Sequence, residues 1–200
     1  GTGARTLVNT SAIPGVTCLR YAGWGWDLGP FTFCGEIPGG PDPDPITVAL
    51  EAAHAAGLPD QGASAGLQTI GIDIIRTGLS GSIPTGKSIY DLSAVWCRYA
   101  VRYPPGNNHA DNSLFKRLTC RRTYVLWRNE NLQSVGHHVL WAEAINETIL
   151  FDVQQTGAQQ AGGNLLVGWA TVLNGSLLLR TGQMSSNACS FVFDLAKFDS

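Results

Sequence analysis

Two groups of residues in this 200-residue chain have the types and spacing to do chemistry. The string Gly81-Ser82-Ile83-Pro84-Thr85-Gly86-Lys87-Ser88 matches a phosphate-cradling glycine loop, and Thr148-Ile149-Leu150-Phe151-Asp152 has the form of an acidic strand that serves magnesium. Such a loop works only where it leaves a buried parallel strand and enters a helix whose first amides face the phosphate. Here the apolar run stops at Ile75, Arg76-Thr77-Gly78-Leu79-Ser80 intervenes, and strand-like text follows Ser88, so a Gly/Pro turn is the preferred reading. The second group is Cys97, His137 and Asp152. A thiolate formed by an imidazole that a carboxylate orients is a nucleophile, provided all three lie within hydrogen-bond reach.

The elements that must position these groups read as strands. Only 14% of residues are charged and 44% are hydrophobic, with 24 Gly and 10 Pro, and no apolar run is long enough to span a bilayer, so disorder and membrane insertion are excluded as readings. The only methionine is Met184, which points to a processed or excised piece of a longer chain. Residues 1–45 read as an irregular arm ending in the stiff connector Pro38-Gly39-Gly40-Pro41-Asp42-Pro43-Asp44-Pro45, and residues 46–200 as a single β-rich domain. A short alanine-rich helix is expected over 46–57. Strands are expected over 67–76, 88–103, 114–128, 137–145, 148–155, 164–173, 176–180 and 189–195, and no internal repeat stands out.

Short turns favour antiparallel pairing. Asn174-Gly175 is the signal for a two-residue hairpin that sets Val172 against Leu177, Ala170 against Leu179 and Trp169 against Arg180, leaving an indole and a guanidinium side by side on one face. The same turn at Asn146-Glu147 sets Ala142 opposite Phe151, Leu140 opposite Val153 and Trp141 opposite Asp152. That register leaves Asp152 four residues from His137, roughly 13 Å along a strand, and puts Cys97 in mid-strand. The expected fold is therefore all-β, mainly an antiparallel sandwich or barrel with an irregular N-terminal arm and at most one or two short helices.

Eight of the 13 basic residues, Lys87, Arg98, Arg102, Lys116, Arg117, Arg121, Arg122 and Arg128, fall between 87 and 128, opposed only by Asp91 and Asp111. This stretch carries +6 and the remainder −8. If its two long strands pair, they make a positive surface for an anionic partner. Trp24 and Trp26, set among glycines, are candidates for a stacking platform or for a plug at the end of a barrel. The five cysteines, Cys18, Cys34, Cys97, Cys120 and Cys189, cannot all pair within one chain, and their spacings fit no zinc pattern.

The order Cys97, His137, Asp152 resembles papain-like thiol enzymes, which implies a cysteine hydrolase or deamidase as the alternative function. In style the low-charge, Gly- and Asn-rich β text resembles the projection, or spike, domains of small RNA-virus coat proteins. That resemblance implies a non-enzymatic capsid surface module, exposed on the virion or otherwise extracellular, which attaches to a host receptor or anionic glycan as a homo-oligomer, most simply a dimer. No cofactor, no metal and no catalytic residue follow from it, and nucleic acid is the less favoured anion. The candidate ligand-binding residues are Trp24, Trp26, Arg98, Arg102, Lys116, Arg117, Arg121, Trp169 and Arg180, and a nucleotide site over 81–88 is the second alternative.

Overall fold

Alternation of β-branched or aromatic residues with polar ones over seven to ten positions builds strands, and in the computed structural model each of them pairs in parallel. The structure describes residues 5–8, 16–22, 27–35, 67–76, 87–106, 113–131, 136–145, 149–154, 164–173, 177–181 and 190–199. The strands are β1 (Arg5–Val8), β2 (Thr17–Ala22), β3 (Asp27–Leu28), β4 (Phe31–Cys34), β5 (Ile70–Arg76), β6 (Lys87–Val95), β7 (Tyr99–Gly106), β8 (Ser113–Arg121), β9 (Val125–Asn131), β10 (His137–Ile145), β11 (Ile149–Val153), β12 (Asn164–Leu173), β13 (Leu177–Thr181) and β14 (Ser190–Asp199). One sheet, A, runs β1-β4-β6-β8-β10-β12-β14 with β3 also on β6, and the other, B, runs β13-β11-β9-β7-β5-β2.

From β5 onward the chain alternates between the sheets, one strand in each, and every second strand lies beside the one before it. This is a two-sheet parallel solenoid. Its coil is read from the register: Tyr99 lies beside Val125, Val125 beside Ile149 and Ile149 beside Leu177, so equivalent positions recur about every 24–28 residues. The expected antiparallel sandwich or barrel is thereby overturned, and with it the absence of a repeat. Among the described residues there is no helix, and the expected helix over 46–57 lies outside them. The expected irregular arm supplies β1 and β4 to sheet A and β2 to sheet B, while its proline connector is outside the described residues.

The two long strands expected over 88–103 and 114–128 each divide at a three-residue corner. Trp96 and Arg122 open these corners with φ of 58° and 49°, in the left-handed region that most side chains avoid. Tight backbone bonds carry the ladder round the bend: Tyr124 N–H donates to Cys97 O at 3.0 Å and Val125 N–H to Arg98 O at 2.9 Å. Buried Thr123 fixes the corner through its hydroxyl, which accepts from Cys97 N–H at 3.3 Å and donates to Arg121 O at 3.2 Å. The expected hairpins fail for a related reason. β12 pairs with β10 and β14, and β13 with β11, so Trp169 neighbours Trp141 and Arg180 neighbours Asp152. The expected turn residues Asn146-Glu147 and Asn174-Gly175 lie outside the described residues.

The core fills the space between the sheets. Trp127, Phe151, Tyr103 and Ile72 from sheet B meet Phe115, Leu118, Val139, Ala142, Val167 and Ala170 from sheet A. Tyr103, Trp127 and Phe151 follow one another across sheet B with centroids 5.5 and 6.2 Å apart, and His137 packs against Tyr103 at 4.6 Å and Trp127 at 5.4 Å. Gly71 lets the layers approach: a Cβ there would stand 2.6 Å from Ala100 O and 2.8 Å from the Phe33 ring. In β8 and β10 the alternation breaks at the same level, so that Lys116-Arg117 and Leu140-Trp141 both point outward as consecutive pairs before burial resumes at Leu118 and Ala142.

Candidate functional site

Parallel register stacks equivalent residues, so one outward position of sheet B becomes a column running Arg20, Asp73, Arg102, Arg128, Asp152, Arg180. Buried residues flank Asp73, Arg102, Arg128 and Asp152 on both sides, and Leu179 packs on the core beside Arg180, which turns the charges to the outer face. Asp73 receives Arg102 in a two-pronged contact, Nε to Oδ1 at 2.6 Å and Nη2 to Oδ2 at 2.8 Å, and a hydrogen bond from Thr17 Oγ1 at 3.1 Å. Asp152, fully buried, receives Arg180 Nε at 3.1 Å and Nη2 at 2.5 Å, Gln154 Nε2 at 2.8 Å, and Arg128 Nη1. Burial pushes the Asp152 carboxyl up, but the hydrogen bonds from Arg180 and Gln154 and the charge of Arg128 outweigh it and hold the group below the ordinary aspartate value. Burial likewise acts to lower Arg128, and its bond to Glu130 at 2.9 Å together with Asp152 reverses the direction.

Beside this column lies a cleft of about 330 Å³. Ile70 and Tyr99 form its apolar floor, Arg20, Arg98 and Arg102 its basic wall, and Thr17, Gln68 and Glu130 its neutral and acidic edge. Tyr99 sits under three guanidinium carbons, those of Arg98 at 5.4 Å, Arg128 at 5.5 Å and Arg102 at 5.9 Å from the ring centroid. Arg98 is the last residue of its corner, and its backbone is pinned on both sides, N–H to Thr69 O at 2.7 Å and O to Val125 N–H at 2.9 Å. Its side chain donates Nε to Tyr99 OH at 3.1 Å. Among the described residues no carboxylate pairs with Arg98 or Arg20, whereas Arg102, Arg128 and Arg180 are all engaged. The cleft therefore offers two guanidiniums without a carboxylate partner, a surface suited to a carboxylate, sulfate or phosphate group.

The expected site residues are distributed over the whole molecule. Arg98 and Arg102 line the cleft. Lys116, Arg117 and Arg121 are exposed on β8, which belongs to sheet A and pairs with β6 and β10, so the expected pairing of the two basic strands is corrected: β7 pairs with β5 and β9, and the positive charge is divided between two outer faces. Trp169 stacks on Trp141 on sheet A, centroids 5.4 Å apart, while Arg180 lies on sheet B over the Tyr124 ring at 5.3 Å, so their expected pair does not form. Trp24 and Trp26 lie outside the described residues.

The three residues of the expected thiol site are held apart. Cys97 occupies the corner after β6 with its thiol toward Val95 O, and His137 opens β10 at the opposite corner, against Tyr103 and Trp127, roughly 25 Å away by strand rise. The Asp152 carboxylate is taken by arginines and Gln154. Lys87 and Ser88 open strand β6, where a phosphate loop requires a helix, and residues 77–86 lie outside the described residues. Sequence reading missed Arg20, Tyr99 and Gln68 as cleft residues. The signal for the column was present in the recurrence of Arg102, Arg128, Asp152 and Arg180 at the coil interval. Compared with protein-family models, curated proteins and solved structures, the chain matches none.

Proposed function

We propose that this chain is a non-enzymatic binding module whose sheet B cleft takes an anionic sugar, a uronate or sulfated residue of a host-cell glycan, and that it acts as an attachment domain on a virion surface or in another extracellular setting. The observation that carries the reading is the uncompensated pair Arg20 and Arg98 beside Arg102, which Asp73 holds rigid, over the floor of Tyr99 and Ile70. Guanidinium forks recognise planar or tetrahedral anions in two-pronged fashion. Thr17, Gln68 and Glu130 line the same cleft and offer polar groups to the hydroxyls of a sugar. A cleft of about 330 Å³ is at the small end of ligand sites, which favours one or two sugar residues.

A nucleic acid is the weaker candidate. Along the column, Arg102, Arg128 and Arg180 are answered by Asp73, Glu130 and Asp152, so it carries no continuous positive stripe for a phosphodiester backbone. Calorimetric titration with glucuronate-containing, sulfated and neutral oligosaccharides tests the reading at low and physiological salt. Acidic sugars should bind, neutral ones should not, and Arg98→Ala should weaken binding at least about tenfold, the loss of one charge-assisted contact. Arg121→Ala, on the other sheet, should leave affinity unchanged. Failure of every acidic sugar to bind at low salt, or an Arg98→Ala protein that binds like wild type, refutes the proposal.

A further inference from the structure

The outer face of sheet A carries an apolar patch that the cleft does not explain. Leu140 is 52% exposed, Trp141 39% and Val192 48%, and Trp141 stacks on Trp169 with an interplanar angle of 13°. Contiguous exposed apolar surface of this kind marks an interface. In sheet A, β10 and β12 are flanked by β8 on one side and by the edge strand β14 on the other.

We infer that this face is the contact surface for a second copy of the chain, related by a twofold axis parallel to the strands and lying between β10 and β12. Such an axis lays β8 of one copy over β14 of the other and β10 over β12, with strand directions and residue levels preserved. Leu140, the most exposed apolar side chain, then faces Gly168 of the other copy, which presents no side chain. Gly168 is held to that identity within its own sheet, since a Cβ there would stand 2.9 Å from Leu140 O. Trp141 faces Trp169 of the other copy in both directions. At the flank, exposed Lys116 and Arg117 of one copy stand opposite exposed Asp194 of the other. A twofold axis perpendicular to the strands would instead place Lys116 and Arg117 over themselves, so charge selects between the two arrangements. Both sheet B clefts remain on the outside.

Four strands at about 4.8 Å spacing and about seven residues of about 3.3 Å rise give a flat footprint of roughly 440 Å² per copy. The two copies together bury about 900 Å², at the low end of specific interfaces, so a weak dimer is expected. Sedimentation equilibrium of the whole chain from 1 µM to about 500 µM reads it directly. Leu140→Glu should weaken association more than tenfold while far-UV circular dichroism and melting stay those of wild type, because the side chain is half exposed. Lys116→Glu with Arg117→Glu should weaken association by a similar factor, and adding Asp194→Arg should restore it. A wild-type chain that stays monomeric to about 500 µM, a Leu140→Glu chain that associates like wild type, or a charge reversal that Asp194→Arg does not rescue would each overturn the inference.

Discussion

Replacing Asp152 by asparagine is the sharpest perturbation available in the charge column. The carboxylate is completely buried and answers two guanidiniums, so the substitution leaves the largely buried Arg128 and the partly exposed Arg180 facing a neutral amide. Breaking a buried pair by removing one partner costs about 3–5 kcal/mol. Arg128 keeps Glu130, at 2.9 Å, and Arg180 keeps Tyr124 OH, at 2.8 Å, which puts the expectation at the lower end, about 3 kcal/mol. Asp73→Asn is the internal comparison. Asp73 answers a single guanidinium, that of Arg102, rather than two, so a loss of about 1–2 kcal/mol is expected there. The effect at Asp152 depends on pH with a defined sign. A carboxyl whose folded-state pKa is depressed adds stability that is present above the unfolded value, about 3.9, and is lost as pH falls through the folded one. The gap between wild type and Asp152→Asn should therefore be full at pH 7 and close only below about pH 4. Urea unfolding of the three proteins at a series of pH values measures this. A difference under about 0.5 kcal/mol at pH 7, or a larger loss at Asp73 than at Asp152, would show that the column does not hold the coils together as argued.

Three further outcomes follow from the coil geometry. Arg122→Val should cost about 1–2 kcal/mol in urea unfolding because a β-branched residue resists φ of 49°, whereas Arg122→Asn should stay within about 0.5 kcal/mol of wild type. Gly71→Ala should lose about 2–3 kcal/mol, its Cβ meeting Ala100 O at 2.6 Å, and a protein of unchanged stability would show that the layers can part there at no cost. Thr123→Val removes the buried hydroxyl that ties one corner to the next, and thermal unfolding should register about 1–2 kcal/mol of destabilisation.

The sequence was legible where alternation alone decides. Strands 137–145 and 164–173 were read with the bounds the structure gives them, because two faces of different polarity mark a strand whatever its neighbour. Pairing direction was not legible from the same signal. Parallel and antiparallel strands with one buried face alternate identically, and an Asn-Gly pair suits a hairpin or a coil corner through the same tolerance of positive φ. Trp96 and Arg122 concealed two corners, since neither residue type announces a left-handed backbone. The coil interval varies with the length of the other connection, which blurs the repeat that Trp141 and Trp169, or Arg102 and Arg128, would otherwise display. Of the cleft, Arg98 and Arg102 were picked out by charge density. Arg20 and Gln68 were out of reach because only the pairing of β2 and β5 brings the start of the chain beside them.

The three-residue corners have an architectural consequence. Residues 96–98 and 122–124 are equal in length, open on a left-handed residue in both cases and join sheet A to sheet B, so two successive coils turn on one template. That template holds Tyr99 beside Val125, one strand spacing apart. Tandem copies of it would stack coils in file at about 4.8 Å intervals, which makes the corner a unit for extending a solenoid at fixed pitch.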